Sequence, residues 1–150
     1  MKDKLVLWIF ATFILCCMAI TREQLQRMTK AAYKCKDIVN ATDTDLSLLI
    51  LKKPLTSREG KCLVGCIMIE VDILSDDNGK YSLNEDGWMK FVAETAKNDA
   101  EIIKKMQEIT DGCKYLNDIN QPDECELAMM AIGCQKEGMT KNNIKLELGI

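Results

Sequence analysis

The stretch CLVGC at residues 62–66 places two cysteines one helical turn apart within a long apolar run. Around it, from Ser57 to Leu74, hydrophobic side chains point in nearly every direction of a helical projection. An apolar run can also be a buried strand, but the length of this one and its cysteine spacing favour a helix. A helix that is apolar on all sides must be buried. We therefore expect residues 57–74 to form a buried helix.

The N-terminus has the features of a secretory signal. Residues 1–4 are short and net positive, and the apolar run LVLWIFATFILCCMAI follows them. A retained membrane anchor is the alternative, but a spanning helix needs about twenty apolar residues, and this run is shorter. We predict a signal peptide over residues 1–19, cleaved after Ala19, and a single domain over residues 20–150.

The cysteine count changes once this leader is set aside. Two of the eight cysteines, Cys16 and Cys17, lie in the predicted leader, so six remain in the mature chain. An even number of cysteines in an oxidising compartment predicts disulfides, here three.

Charge and composition exclude several classes of function. The leader removes two lysines and one aspartate, so the net charge moves from −3 to about −4. Without a basic cluster, the chain has no electrostatic basis for binding nucleic acid. It contains no histidine, which excludes histidine-based triads and histidine-ligated zinc within this chain. No nucleophile and base are arranged together, so we expect no enzyme, no catalytic residue and no cofactor.

Hydrophobic spacing is helical almost throughout the mature chain. It predicts a compact, all-α domain of six helices with no convincing strand. The helices are expected at about 22–39, about 43–51, 57–74, from the cap Asn84 onward, from near Asn98 onward, and from Pro122 to about Gly138.

Helix geometry restricts the disulfide pairing without settling it. Cys62 and Cys66 lie on one face with Cβ atoms about 5–6 Å apart, where a disulfide prefers about 3.8 Å. Cys125 and Cys134 are nine residues apart, which places them on opposite sides of a helix. Six cysteines pair in fifteen ways, and excluding these two pairs leaves ten. Helices held by such bridges can tolerate an apolar cavity, which is a natural site for a small ligand.

The segment LSDDNGKYSLNE, which follows the third predicted helix, is a near match to a calcium-binding loop. Asp76, Asn78, Gly79 and Glu85 fall on the third, fifth, sixth and twelfth positions of that pattern. The first position is Leu74, which offers no oxygen ligand. We interpret the segment as the turn and hinge between the third and fourth helices, with Leu74 as an apolar wall and no metal site.

The C-terminal tail after Gly138 has two interpretations. Ile144, Leu146 and Leu148 alternate with polar residues. The tail either lies extended across the mouth of a pocket or is disordered.

The spacing Cys35-x26-Cys62-x3-Cys66-x46-Cys113-x11-Cys125-x8-Cys134 resembles that of the insect odorant-binding and pheromone-binding protein family. The gaps of three and eight residues are the most rigid features of that family, and both are present. CLVGC before an apolar helix and DECELA before the final cysteine also agree. The gap of 46 residues is at the long end of what the family pattern leads us to expect.

The resemblance implies a fold, a pairing and a role. The fold is a compact six-helix domain around an apolar pocket. The role is to carry small hydrophobic semiochemicals, such as odorants or pheromones, through sensory lymph to membrane receptors. The implied pairing is first to third, second to fifth and fourth to sixth, that is, Cys35–Cys66, Cys62–Cys125 and Cys113–Cys134.

The same resemblance implies partners and site residues. The main partner is a small hydrophobic volatile or lipid-like ligand, with a membrane odorant receptor and a second copy of the chain as further candidates. We expect no cofactor, no metal, no nucleic acid and no membrane insertion. By position relative to the cysteines, ten residues are expected to line the pocket, although ordinary core residues would be of the same types. They are Val64, Met68, Ile73, Leu74, Trp88, Phe91, Val92, Met106, Thr110 and Ala131.

Polar residues suggest how a ligand is oriented and released. Thr110, Tyr81 and Tyr115 are the candidates for a hydrogen bond to an alcohol, aldehyde or ester oxygen. Acid-triggered release could not use histidine. It would depend on carboxylates, of which Glu70, Asp72 and Glu147 are the candidates.

Three alternative functions are known for secreted helical proteins with disulfides. The first is a secreted, disulfide-rich protein that acts by protein–protein contact. The second is a non-sensory carrier of lipids or hormones with the same fold. The third, a saposin-like protein, does not fit the gaps of three and eight residues.

Overall fold

The structure, a computed structural model, describes residues 20–120 and 123–146. This part of the chain contains six α-helices, a two-stranded β-hairpin and a short 3-10 helix. The predicted signal peptide lies outside the described residues. The elements in chain order are α1 (Arg22–Ile38), α2 (Asp43–Ile50), α3 (Arg58–Glu70), β1 (Leu74–Asp77), β2 (Lys80–Leu83), α4 (Glu85–Thr95), α5 (Ala100–Cys113), the 3-10 helix (Lys114–Asp118) and α6 (Glu124–Lys141).

Each α-helix begins where a short polar side chain accepts a hydrogen bond from a backbone N–H of the first turn. Such caps satisfy donors that the helix itself leaves unpaired. The predicted cap Asn84 is confirmed, and Ser57 caps α3 at the predicted start of that helix. The last helix begins at Glu124 rather than at Pro122, because Asp123 is its cap. The six capping residues are Thr21, Thr42, Ser57, Asn84, Asp99 and Asp123.

The central helix α3 ends earlier than the sequence analysis predicted. Its last residue is Glu70, and Asp72 takes a positive φ of 63°. The Ile73 N–H donates to the Met68 carbonyl oxygen at 2.8 Å, and the Asp72 N–H donates to the Ile69 carbonyl oxygen at 3.1 Å. These two bonds close the helix in a Schellman motif. Ile73 and Leu74 therefore leave the helix, although both are apolar.

The prediction of no strand was wrong for the segment that resembles a calcium loop. Leu74 pairs with Leu83 and Asp77 with Lys80 in an antiparallel hairpin. The two residues between the strands, Asn78 and Gly79, have φ values of 55° and 85°. Positive φ at both positions is the geometry of a type I′ turn, for which Asn-Gly is the strongest signal. The segment connects α3 to α4 as a hairpin rather than as a loose hinge.

Three disulfides tie the helices together, in the pairing that the resemblance implied. They join α1 to α3, α3 to α6, and α5 to α6. The bonds are Cys35–Cys66, Cys62–Cys125 and Cys113–Cys134.

The predicted burial of α3 agrees with the structure. This helix packs against α1, α2, β1 and α6, and six of its thirteen residues are buried. A large apolar cluster lies between α3, the hairpin and helices α4, α5 and α6, and a smaller one lies between α1, α2 and α3. The prediction of a mostly helical domain with six helices and three disulfides is confirmed. Within the described ranges, no helix combines the length and apolar character needed to cross a membrane.

The described part of the C-terminal tail folds back onto the core. Asn143 has a positive φ of 52°, and the Ile144 N–H donates to the Met139 carbonyl oxygen at 2.9 Å. Leu146 is buried, and Ile144 packs against the same cluster. The disorder interpretation is therefore wrong for residues 144–146, whereas Leu148 lies outside the described residues.

Candidate ligand-binding site

The ten residues predicted to line a pocket are all buried. None has more than 4% of its surface exposed. The nine apolar ones belong to one cluster, the large core cluster between the hairpin and helices α3 to α6. The structure therefore brings these residues together, and their contact with a ligand remains a prediction.

Four elements beyond α3 contribute to this interior, namely β1, α4, α5 and α6. Ile73 and Leu74 come from the end of α3 and the start of the hairpin, not from a continued helix. Trp88, Phe91 and Val92 occupy one face of α4, at the three- and four-residue spacing of helical neighbours. The rings of Trp88 and Phe91 stack, with centroids 6.2 Å apart and planes at 15°.

The large cluster also contains residues that were not predicted to line the pocket. Along α6, Leu127 lies four residues before the predicted Ala131 and Met139 lies eight residues after it, so helical spacing was a usable signal. The additional members are Met28, Leu83, Ala96, Ile109, Cys113, Leu116, Leu127, Ala128, Met139 and Leu146.

Two of the predicted lining residues also border grooves at the protein surface. Val64 contributes to a groove of about 200 Å³ that includes Leu49, Leu55 and Met129. Phe91 contributes to a groove of about 220 Å³ beside the start of α4. These two residues therefore lie between the buried cluster and a surface groove.

The three polar candidates for ligand contact have different environments. Tyr115 is 57% exposed and borders a groove of about 360 Å³ between α5 and α6, so it lies outside the buried cluster. Thr110 is fully buried, but its hydroxyl already donates to the Met106 carbonyl oxygen at 2.7 Å. Tyr81 is partly buried, and burial, with the nearby negative charge of Glu124, raises the pKa of its phenol.

The chain was compared with known protein families and structures. The model of the PBP/GOBP family matches residues 17–138. The chain belongs to this family. Proteins of this family are secreted and bind small hydrophobic ligands.

Individual relatives and a solved structure agree with this membership. General odorant-binding protein 28a of Drosophila melanogaster is 38% identical over 108 residues, which are 71% of each chain. General odorant-binding protein 19d of the same organism is 30% identical over 116 residues, covering 77% of this chain and 74% of the relative. The solved structure of odorant-binding protein 28a has a TM-score of 0.65 and 31% sequence identity, covering 82% of this chain and 98% of that one.

In this PBP/GOBP protein, a buried amide fixes the first helix to the fourth. The Gln24 side chain donates to the Phe91 carbonyl oxygen and to the Thr95 hydroxyl, both at 2.9 Å. Its oxygen accepts from the Thr21 N–H at 2.8 Å. Gln24 therefore positions the backbone behind the Phe91 ring. The spacing Thr21-x-x-Gln24, a capping box, was the sequence signal for it.

One acidic cluster resembles a metal site by distance alone. Ligand atoms of Asp123, Glu124 and Cys125 lie close together. The Cys125 sulfur is bonded to Cys62, and the Asp123 carboxylate caps α6 and pairs with Arg58 at 2.8 Å. The cluster is thus a structural junction of this family member. In the hairpin, the Asp76 carboxylate accepts from the Gly79 N–H at 2.8 Å and so supports the turn.

The response to acid follows from carboxylates that accept hydrogen bonds. Hydrogen bonds from the Ser57 hydroxyl and from Thr42 lower the pKa of Asp45. The backbone N–H of Glu126, and then Arg58, lower the pKa of Asp123. A depressed pKa means that the bond stabilises the fold fully above the ordinary value of about 3.9, and that this stabilisation is lost as the pH falls through the folded value.

We therefore expect the melting temperature of this protein to be nearly constant from pH 7 to pH 5 and to fall below about pH 4. Thermal unfolding followed by circular dichroism across this range measures it. Asp45→Asn should be less stable than wild type at pH 7 and approach it at low pH. A loss of stability between pH 7 and pH 5 would contradict this account, since the chain has no histidine to titrate there.

Proposed function

We propose that this protein is a secreted, non-enzymatic carrier that binds a small hydrophobic ligand and transports it through aqueous extracellular fluid. The ligand is proposed to bind among the buried residues between α3, the hairpin, α4, α5 and α6. The observation that carries this proposal is the collection of the nine predicted apolar residues in one buried cluster. Membership of a family that binds small hydrophobic ligands supports it.

The driving force for binding would be removal of the ligand from water. Each Å² of apolar surface buried contributes about 25 cal/mol, so no covalent step is needed. Met68 and Met106 are fully buried in the cluster, and their unbranched thioethers can adapt to ligands of different shape. Three disulfides hold the surrounding helices while these side chains rearrange.

In its sensory form, the proposal includes transport of odorants or pheromones in sensory lymph and delivery to a membrane odorant receptor. The relatives described above are named as odorant-binding proteins, which supports this form. We also propose that two copies of this chain associate as a homodimer.

A probe-displacement titration tests the carrier function. The oxidised protein is loaded with the fluorescent probe N-phenyl-1-naphthylamine, which is then displaced with volatile alcohols, aldehydes, esters and terpenoids. We expect displacement at micromolar concentrations. Emission from Trp88 should change at the same time, because this residue is 2% exposed, stacks on Phe91 and is the sole tryptophan outside the predicted leader.

Two variants make the readout specific. Trp88→Phe should remove the emission change and retain displacement of the probe. Tyr115→Ala, at an exposed position, should leave both signals unchanged. If no small apolar compound displaces the probe at micromolar concentration, the carrier proposal is wrong.

A further inference from the structure

Gln135 is a buried polar residue on the apolar face of α6. Its exposed fraction is 2%. Leu127, Ala131 and Met139 stand four and eight residues from it on the same face, and all three belong to the large core cluster. The amide of Gln135 therefore lies on the face of α6 that packs into the proposed binding region.

Hydrogen bonding fixes the orientation of this amide. The single hydroxyl hydrogen of Thr110 is committed to the Met106 carbonyl oxygen at 2.7 Å. The Thr110 oxygen can then only accept from Gln135, so the Gln135 NH2 group must face it, at 3.3 Å. The amide oxygen Oε1 consequently points elsewhere and cannot exchange places with the nitrogen without placing two acceptors face to face.

Gln135 Oε1 is buried and has no hydrogen-bond partner among the described residues. A buried carbonyl oxygen without a donor loses its bonds to water and gains nothing in return. Such atoms are rare in folded proteins and call for a specific explanation. The missing partner must be a donor, since Oε1 has only lone pairs to offer.

We propose that Gln135 Oε1 accepts a hydrogen bond from the hydroxyl group of the ligand, so that the protein selects apolar alcohols. This inference rests on the proposed carrier function and deepens it. Ethers, esters, ketones and aldehydes present only acceptors to Oε1, and hydrocarbons leave it unpaired. A site that contains a buried polar group rejects analogues that cannot bond to it.

A second buried polar atom of the site does not make this selection. Trp88 Nε1 is a donor without a partner among the described residues. Hydroxyl, ether and carbonyl oxygens can all accept from it. The preference for a donor hydrogen in the ligand is therefore assigned to Gln135 alone.

The test compares 1-decanol with 1-methoxynonane, which have the same number of heavy atoms and one oxygen each. Only the alcohol carries a donor hydrogen, so a bond from Trp88 contributes equally to both. In the wild-type protein we expect the affinity for 1-decanol, measured by displacement of the probe, to be about tenfold higher than that for 1-methoxynonane. One hydrogen bond to a buried acceptor predicts a difference of this size. In Gln135→Met, the affinity for 1-decanol should fall until the ratio of the two affinities is near one.

Gln107→Met is the matched control. Gln107 lies on α5 and bonds to Glu85 at 2.7 Å, in a partly exposed position. This variant should keep the tenfold preference. Circular dichroism confirms that each variant is folded, and Gln135→Leu replaces Gln135→Met if the latter is not.

Two outcomes would overturn the inference while leaving the carrier function intact. One is equal affinity of the wild type for both compounds, as expected if a buried water occupies Oε1. The other is a tenfold preference that persists in Gln135→Met or Gln135→Leu. Failure of both compounds to displace the probe would instead overturn the carrier function, and the inference with it.

Discussion

Gly65→Ala is expected to destabilise the protein by about 3 kcal/mol, near the upper end of the usual cost of overpacking. Gly65 lies in α3 where this helix meets the start of α6. A Cβ atom at this position would lie 2.5 Å from the Glu124 carbonyl oxygen and 2.8 Å from the carbonyl carbon. Both are backbone atoms, so the contact cannot be relieved by rotating a side chain.

The disulfide next to the contact between Gly65 and the Glu124 backbone increases the expected loss of stability. Cys62 and Cys125 join the same two helices, which limits how far α3 and α6 can separate to admit the methyl group. Urea unfolding followed by circular dichroism measures the change in the free energy of unfolding.

Gly133→Ala is the matched control for Gly65→Ala. Gly133 lies in the middle of α6, is exposed, and nothing lies within 4 Å of an added Cβ atom. Alanine is the better helix former by about 1 kcal/mol, so this variant should be slightly more stable than wild type. Equal effects of the two substitutions would contradict the close packing of α3 on α6.

Removal of the Cys62–Cys125 disulfide is expected to cost about 4 kcal/mol of stability. The bond spans 63 residues, and a longer closed loop restricts the unfolded chain more. The double variant Cys62→Ala with Cys125→Ala, unfolded in urea without reductant, measures the loss.

The Cys113–Cys134 bond provides the comparison, because it spans only 21 residues. Its removal should cost about 3 kcal/mol by the same argument. Each of the two bonds joins one buried and one partly buried cysteine, so their local environments are similar. A larger loss from the shorter loop would contradict the chain-entropy argument.

The helices and the framework of the site could be predicted from the sequence because they depend on local signals. Ser57 and Asn84 are short polar residues placed where a helix can begin. The apolar run around CLVGC required burial of α3. Every predicted lining residue is buried in the structure, since helical spacing and cysteine positions determine which face turns inward.

The hairpin was missed because its hydrophobic content was interpreted as helix. Ile73 and Leu74 continue the apolar pattern of α3, but the backbone turns at Asp72. The dipeptide Asn78-Gly79 was a type I′ turn signal within the segment. The segment was interpreted instead as a turn and hinge between two helices.

The polar part of the site could not be predicted from a linear pattern. Gln135 and Thr110 are 25 residues apart and meet only because α5 packs on α6. Nothing in the sequence indicates that the Thr110 hydroxyl is already committed or that Gln135 Oε1 is unpaired. Which hydrogen-bond donors and acceptors are paired depends on the neighbours that each atom has after folding.

The most direct test of internal binding is an NMR measurement on the protein with bound 1-decanol. Methionine methyl groups are labelled with carbon-13, and nuclear Overhauser effects are recorded from bound 1-decanol. Met68 and Met106 are 1% and 0% exposed within the core cluster, whereas Met129 lines a surface groove. We predict strong effects to Met68 and Met106. Effects confined to Met129, or none at all, would contradict a ligand bound inside the protein.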